Sequence, residues 1–199
     1  MKRYRIPGKC WWSVAIILAA WFPAWASPEP SIGDFGNQSL NPDAAPETEM
    51  LGQLAGRWSV RMEIRDQDGY WQPQDEEREW RWYYILDGHA IQDDFITVYK
   101  DEHGNVLRRT AGTNIRIFNG QEQRWYMAWI HSDRRRLATF TAVNQKDKVI
   151  MRGTNDQGRE VKNTFYDIQH GSFEWIQEWT FDDGGSWVPV VRIHATRIE

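Results

Sequence analysis

From Arg57 to the C-terminus the sequence falls into short runs in which apolar and polar residues alternate, each closed by a turn signal. Alternation of period two is what a half-buried strand requires, because successive side chains leave the pleat on opposite faces. Trp58, Val60, Met62 and Ile64 alternate with Ser59, Arg61, Glu63 and Arg65. The same rhythm sets Trp80, Trp82 and Tyr84 on one face, then Trp125, Met127, Trp129 and His131, then Phe173, Trp175, Gln177, Trp179 and Phe181. Between the runs stand Asp68-Gly69, Asp87-Gly88, Asn119-Gly120 and Asp182-Asp183-Gly184-Gly185. Asn-Gly and Asp-Gly adopt the positive φ angles of tight hairpins at little cost. The pattern predicts an all-β domain of about ten antiparallel strands with no long helix between them.

A ladder of consecutive hairpins left open would expose two edges able to pair with other chains. Curling it into a single antiparallel up-and-down barrel removes both edges, and a barrel of this strand number encloses large side chains or one small ligand. A two-sheet sandwich is the competing architecture, since short strands at regular spacing suit either.

The N-terminal segment has a different logic. Lys2, Arg3, Arg5 and Lys9 precede an apolar stretch from Trp11 to Phe22, and Ala24-Trp25-Ala26 offers a small-x-small site before Ser27. That arrangement predicts a signal peptide over residues 1–26 and a periplasmic or secreted mature protein. Pro23 ends the apolar run short of the ~20 residues that a membrane span needs, so a retained anchor is the lesser reading and no stable membrane insertion is expected after cleavage. Residues 27–49, with Pro28, Pro30, Pro42 and Pro46, read as a flexible linker. Glu47 to Leu54 is expected to form a short helix with Thr48 as its N-cap, closing one mouth of the barrel formed by residues 50–199.

Cleavage would remove Cys10, the one cysteine, leaving no thiol and no disulfide. It would also remove four basic residues and no acid, which leaves 20 Lys and Arg against 28 Asp and Glu, a net charge of −8. An acidic domain without a basic stripe argues against nucleic acid and anionic membranes as partners. The run Arg134-Arg135-Arg136 reads as a solvated turn.

Candidate chemistry is sparse. The histidines at 89, 103, 131, 170 and 194 lack metal-ligand spacing, so no metal and no cofactor are expected. A haem reading would need His131 or His194 to project inward. Asp93 and Asp94 are adjacent in one strand, so one of them points into the barrel, where an unpaired carboxylate would have a raised pKa. With His131 they form the only candidate catalytic set, of isomerase or hydratase type; the structural alternative is an ion pair with an arginine on a neighbouring strand. Glu174 and Glu178, opposite the tryptophans of their strand, are expected to be solvated.

Nine tryptophans lie beyond the leader. Trp80, Trp82, Trp125, Trp129, Trp175 and Trp179 share the predicted inward face and are the candidate ligand-binding residues for a small hydrophobic or aromatic molecule. Plain core filling is the rival account of the same residues, and it would leave a solid barrel acting through its surface. Any exposed tryptophan would favour a homo-oligomer interface.

The segment Leu54-Ala55-Gly56-Arg57-Trp58 resembles the glycine-x-tryptophan opening of lipocalins and their calycin relatives. That resemblance implies that Gly56 turns the chain into the barrel, that Trp58 plugs the closed end, and that a basic residue of the final strand, Arg192 or Arg197, lies over it. Further along, Tyr84-Ile85-Leu86-Asp87-Gly88, Ile91-Gln92-Asp93-Asp94-Phe95, Gly112-Thr113-Asn114, Trp125 with Trp129, and Glu178-Trp179 before Asp183-Gly184-Gly185 and Trp187 resemble a bacterial lipocalin-like family catalogued as a domain of unknown function. The resemblance implies a calycin-like barrel and carries no catalytic residue.

Overall fold

The computed structural model describes residues 39–155 and 158–198, and nearly all of them lie in strands or the turns joining them. The strands are β1 (Gly56–Arg65), β2 (Trp71–Gln74), β3 (Glu77–Ile85), β4 (Ala90–Lys100), β5 (Val106–Asn119) and β6 (Arg124–His131). They continue as β7 (Leu137–Gln145), β8 (Lys148–Thr154), β9 (Glu160–Tyr166), β10 (Ser172–Trp179) and β11 (Val188–Arg197). From β3 onward each pairs antiparallel with the next, and β11 returns to β1 along Trp58↔Arg197 through Ile64↔Val191, which closes the sheet. Two segments share the other edge of β1: β3 pairs with Gly56–Ser59 and β2 with Met62–Arg65. β2 and β3 thus form one stave broken at Asp75-Glu76, and the closed barrel has ten staves, with the short β2 paired on its β1 side alone.

Closure forces the alternation expected from the sequence. In β3, Arg78, Trp80, Trp82 and Tyr84 are buried while their neighbours are exposed or partly so. In β5, Thr110, Gly112, Asn114, Arg116 and Phe118 are buried while Ala111, Ile115 and Ile117 face out. Phe181, expected on the inward row of β10, lies beyond the strand and is 65% exposed.

The end of the barrel where β1 begins is sealed. The 3₁₀ turn Pro46–Thr48 runs into a single helical turn, α1 (Glu49–Gly52), whose Leu51, with Leu54 just after, is fully buried under the barrel mouth. The Tyr84 hydroxyl donates to the Glu49 carboxylate at 2.9 Å, and Gln123 and Asn144 donate to the side chain and backbone of Glu47. Thr48 does precede the helical turn, but its hydroxyl makes no capping bond: the residue is already in helical conformation and its Oγ1 is buried without a partner.

Residues 39–49, placed in the flexible linker on composition, pack on this end. The Asn41 N–H donates to the Gly88 carbonyl at 3.2 Å and its side-chain amide to the Asp87 carbonyl at 2.9 Å, with Leu40 and Ala45 against the core. Gly88 has φ +77°, and a Cβ there would lie 2.2 Å from the Ser39 carbonyl, so glycine serves both the turn and the close approach. Proline and glycine frequency misses this because a few side-chain anchors are enough to fix an irregular segment. The leader at 1–26 and the linker from 27 to 38 lie outside the described residues.

The hairpin dipeptides act in two ways. At β3–β4, Leu86, Asp87 and Gly88 all take positive φ. At Asn119-Gly120, expected as a two-residue hairpin, the loop is longer: the Asn119 Oδ1 accepts from the backbone N–H groups of Gln121 and Glu122, and Gln123 is the residue with positive φ. The asparagine works as a side-chain cap rather than as a left-handed residue.

Candidate functional site

Below the mid-height of the barrel the interior is filled by rings. Trp58 meets Phe173 edge to face at 4.8 Å, Trp82 meets Phe165 at 5.5 Å, and Phe118 meets Trp125 at 5.3 Å. Each such pair adds about 0.5–1.5 kcal/mol beyond simple burial. Of the six tryptophans proposed as ligand-binding, Trp80, Trp82 and Trp125 belong to this packed core and are at most 4% exposed.

Gly56 enters the first strand at φ +133°, outside the range comfortable for an L-residue. The Trp58 indole donates to the Leu54 carbonyl at 2.7 Å, and the Arg197 guanidinium lies 4.1 Å over its ring. Arg197 also donates to the carbonyls of Ala55, Gln53 and His170, so one side chain fastens the last strand to the plug. Burial pushes its pKa down, yet it remains a cation at any ordinary pH. Arg192 occupies a different place, over Trp71 on the outer wall and paired with Glu63.

A charged layer lies above this packing. Asp93 projects inward and Asp94 outward, as the pleat demands. Asp93 is fully buried and ion-paired with Arg116 of β5, while its other oxygen accepts from the Trp80 indole at 2.6 Å. Arg116 in turn lies 4.5 Å over the Trp82 ring. Burial pushes the Asp93 carboxyl up, against the opposing pull of Arg116, Trp80 and Asn114. Asp94 takes the Tyr83 hydroxyl at 2.8 Å on the outer face. His131, on the inner row at the far end, accepts the Asp133 backbone N–H at Nδ1 and lies beside Trp129. The three catalytic candidates therefore occupy three separate settings. His194 faces outward and contacts Glu174 at 2.6 Å. Glu174 and Glu178 are half-buried in pairs with His194 and Lys162, rather than freely solvated.

Above the charged layer the inner face changes character. Trp129, Trp175 and Trp179, together with Phe95, Phe140 and Gln177, point inward on their strands but stay partly open to solvent. Trp175 rests on the floor, 6.3 Å from Trp80 and 6.5 Å from Phe165. Two glycines shape the wall. A Cβ at Gly112 would lie 2.1 Å from the Trp129 ring, and one at Gly153 would lie 2.2 Å from the Phe140 ring. Each ring therefore lies flat against the neighbouring strand, over a position with no side chain, instead of pointing to the barrel axis. These glycines sit in strand interiors, where their absence of packing is a cost unless something fills the space, and spacing alone does not announce them. The result is a partly open inner face lined with aromatic rings, with the Asp93–Arg116 layer beneath it.

Two hollows lie elsewhere. A groove of about 740 Å³ on the outer wall runs along Arg61, Glu63, Arg192 and His194 to the break at Asp75-Glu76, and a smaller one of about 290 Å³ lies between Arg159 and Phe181. No tryptophan lines either. Among the described residues no group of three or more His, Cys, Asp or Glu is placed to hold a metal ion.

A closed ten-stave antiparallel barrel with a tryptophan plug at one end is a lipocalin-like barrel. Solved structures of that shape include an S-type phycobiliprotein lyase, CpeS, from Guillardia theta, with a TM-score of 0.54 at 7% identity over 76% of this chain and 92% of that one. Another is Rv2717c from Mycobacterium tuberculosis, with a TM-score of 0.52 at 12% identity over 79% of this chain and all of that one. At such identities the likeness is one of fold. No family model matches the chain, and no curated protein matches its sequence.

Proposed function

We propose that this chain is an exported lipocalin-like carrier that holds one small hydrophobic or aromatic molecule in the open cup of its barrel. The carrying observation is the gradient of burial along one inward face. In β10, Phe173 is fully buried while Trp175 and Trp179, two and six residues further along, remain half-open. Apolar rings held open to water inside a concave wall are left short of the contacts that a ligand would supply. Export rests on the basic and apolar leader with its small-x-small site. The lyase activity of CpeS belongs to that protein and supplies no residue here.

The test is a titration with the neutral lipophilic probe N-phenyl-1-naphthylamine. Saturable one-to-one quenching of tryptophan fluorescence is expected. Gly112→Ala, whose Cβ overlaps the Trp129 ring and drives it into the cup, should weaken binding at least ten-fold while changing the unfolding midpoint little. Absence of saturable quenching in the unmodified protein would overturn the reading.

A further inference from the structure

Most indole donors inside the barrel are paired, and of those that are not, Trp82 Nε1 is sealed in the packed core beside Arg116. The Trp58, Trp80, Trp125 and Trp179 indoles donate to the Leu54 carbonyl, the Asp93 carboxylate, the Asn144 amide and the Gln177 amide. Gln177 passes its own donor to Asn163 at 3.1 Å. The inward charges are also paired, Asp93 with Arg116 and Arg78 with Glu76. Arg159, at the rim, stacks on Trp179 and Phe181.

Trp129 and Trp175 differ. Both project into the cup, and neither indole N–H has a hydrogen-bond partner among the described residues. Neither nitrogen is among the buried unpaired atoms either, so both are reached by solvent. They stand on β6 and β10, four staves apart in a ring of ten, and therefore on nearly opposite walls. An indole nitrogen is a donor only. Two aromatic faces with an unused donor on each side define the complement, and the inward Thr97 and Thr110 hydroxyls, which donate as well as accept, match an acceptor on the ligand too.

We propose that the ligand of the cup is a flat, neutral aromatic molecule bearing a hydrogen-bond acceptor, such as an aromatic ketone or quinone, recognised by the Trp129 and Trp175 N–H groups. This rests on the reading of the cup as the ligand site. A carboxylate would be drawn to Arg159, stacked on Trp179 and Phe181 at the rim, rather than to the indole donors above the paired Asp93. A ligand bearing only a donor would leave both indole N–H groups unmatched and would have the Thr97 and Thr110 hydroxyls alone to meet, since the Asn114 Oδ1 is buried.

Three tricyclic molecules of nearly the same size separate these cases: 9-fluorenone carries a carbonyl, fluorene carries no polar group, and carbazole carries an N–H donor. Saturable binding of fluorene tests the cup itself. Fluorenone is expected to bind about five-fold or more tighter than fluorene, the worth of one neutral hydrogen bond, and carbazole no tighter than fluorene. Trp129→Phe and Trp175→Phe keep a ring and remove the donor; one of them should bring the ratio of fluorenone to fluorene affinity below two-fold, the ratio cancelling what the smaller ring costs both ligands. A shift of the fluorenone carbonyl stretch to lower wavenumber on binding, lost in the same variant, would identify the bond directly. Equal affinity of the unmodified protein for fluorenone and fluorene overturns the donor assignment and leaves the cup standing, as does tightest binding of carbazole. Failure of all three to saturate overturns both.

Discussion

The ion pair beneath the cup gives the sharpest test of how the interior is organised. Asp93 and Arg116 are 0% and 1% exposed in their side chains, so neither charge has water to fall back on. Removing one partner of such a pair costs about 3–5 kcal/mol, whereas replacing both by apolar groups of similar size is close to neutral or stabilising. Arg116→Met removes the guanidinium that lies over Trp82, refills part of its volume, and leaves Asp93 with only the neutral Trp80 and Asn114 as partners. At a slope of about 2 kcal/mol per molar urea, a loss of 3–5 kcal/mol moves the unfolding midpoint down by roughly 1.5–2.5 M. The double variant Asp93→Leu/Arg116→Met should recover most of that loss. The pH dependence has a definite sign. Burial raises the folded-state pKa of Asp93 and Arg116 opposes the rise. Without Arg116 the folded protein therefore holds a proton on Asp93 more tightly than the unfolded chain does, and stability falls as pH climbs from the unfolded carboxylate range through the raised pKa. The Arg116→Met penalty should be smallest in acid and grow toward neutrality, measured by urea unfolding followed by tryptophan fluorescence at several pH values. A penalty independent of pH, or a double variant as unstable as the two single losses added together, would refute the assignment of a desolvated, mutually dependent pair.

Two other perturbations test the ends and the wall. Arg197→Met should cost about 2–4 kcal/mol in urea unfolding, because the carbonyls of Gln53, Ala55 and His170 lose a charged donor together; a cost under about 0.5 kcal/mol would mean the plug holds without its clasp. On the outer wall, Arg57 and Arg81 hold the Glu79 carboxyl down, from 4.5 to about 2. A lowered carboxylate pKa gives stability that is present above the unfolded value and lost as pH falls toward 2. Solvent around the two arginines limits its worth to about 1 kcal/mol or less, so Glu79→Gln should lower neutral stability by up to that amount, a deficit that shrinks to nothing as pH falls from 4.5 to 2 and so flattens the acid limb.

What the sequence discloses and what it hides follow from the range of the forces involved. Alternation along a strand is a local property, so the staves, their inward rows and the opposed directions of Asp93 and Asp94 can be read from spacing alone. The partner of Asp93 is Arg116, two places along β5 from its register partner Asn114; a buried carboxylate implies an arginine on an adjacent strand without saying which. The height of a residue in the barrel is not local at all. Trp80, Trp82 and Trp125 share the inward row with Trp129, Trp175 and Trp179, and only the closed sheet with its plug decides which three are sealed. The choice between Arg192 and Arg197 is of the same kind, since it depends on where β11 stops against the residues Gln53 and Ala55. The 39–49 segment was hidden for a third reason: its order comes from Asn41 and Leu40 meeting the β3–β4 turn, a contact no composition window contains.

Core filling accounts for Trp80, Trp82 and Trp125, while the proposed cup concerns Trp129, Trp175 and Trp179, further along the barrel axis. A barrel this wide can be filled by its own rings only if those rings reach the axis, and below Asp93 they do, from Trp58 to Phe173 to Phe165. Above it, Gly112 and Gly153 let Trp129 and Phe140 lie back on the wall, which moves ring volume off the axis at the cost of two weakened strand positions. A barrel serving only as a rigid body has no need of this arrangement, since larger residues at the two positions with the rings turned to the axis would fill the lumen instead. That Gly112 and Gly153 occur at inward positions on the open side, directly beside half-open aromatic residues, is the arrangement expected of a wall shaped around a guest. The Asp93–Arg116 layer fits the same design, because a buried pair that contributes little net stability can still fix the register of β3, β4 and β5 beneath the cup. If that layer sets the floor, Asp93→Leu/Arg116→Met should keep its stability yet bind probe with altered affinity and a broader range of ligand sizes, a separation of folding from binding that a purely structural pair would not produce.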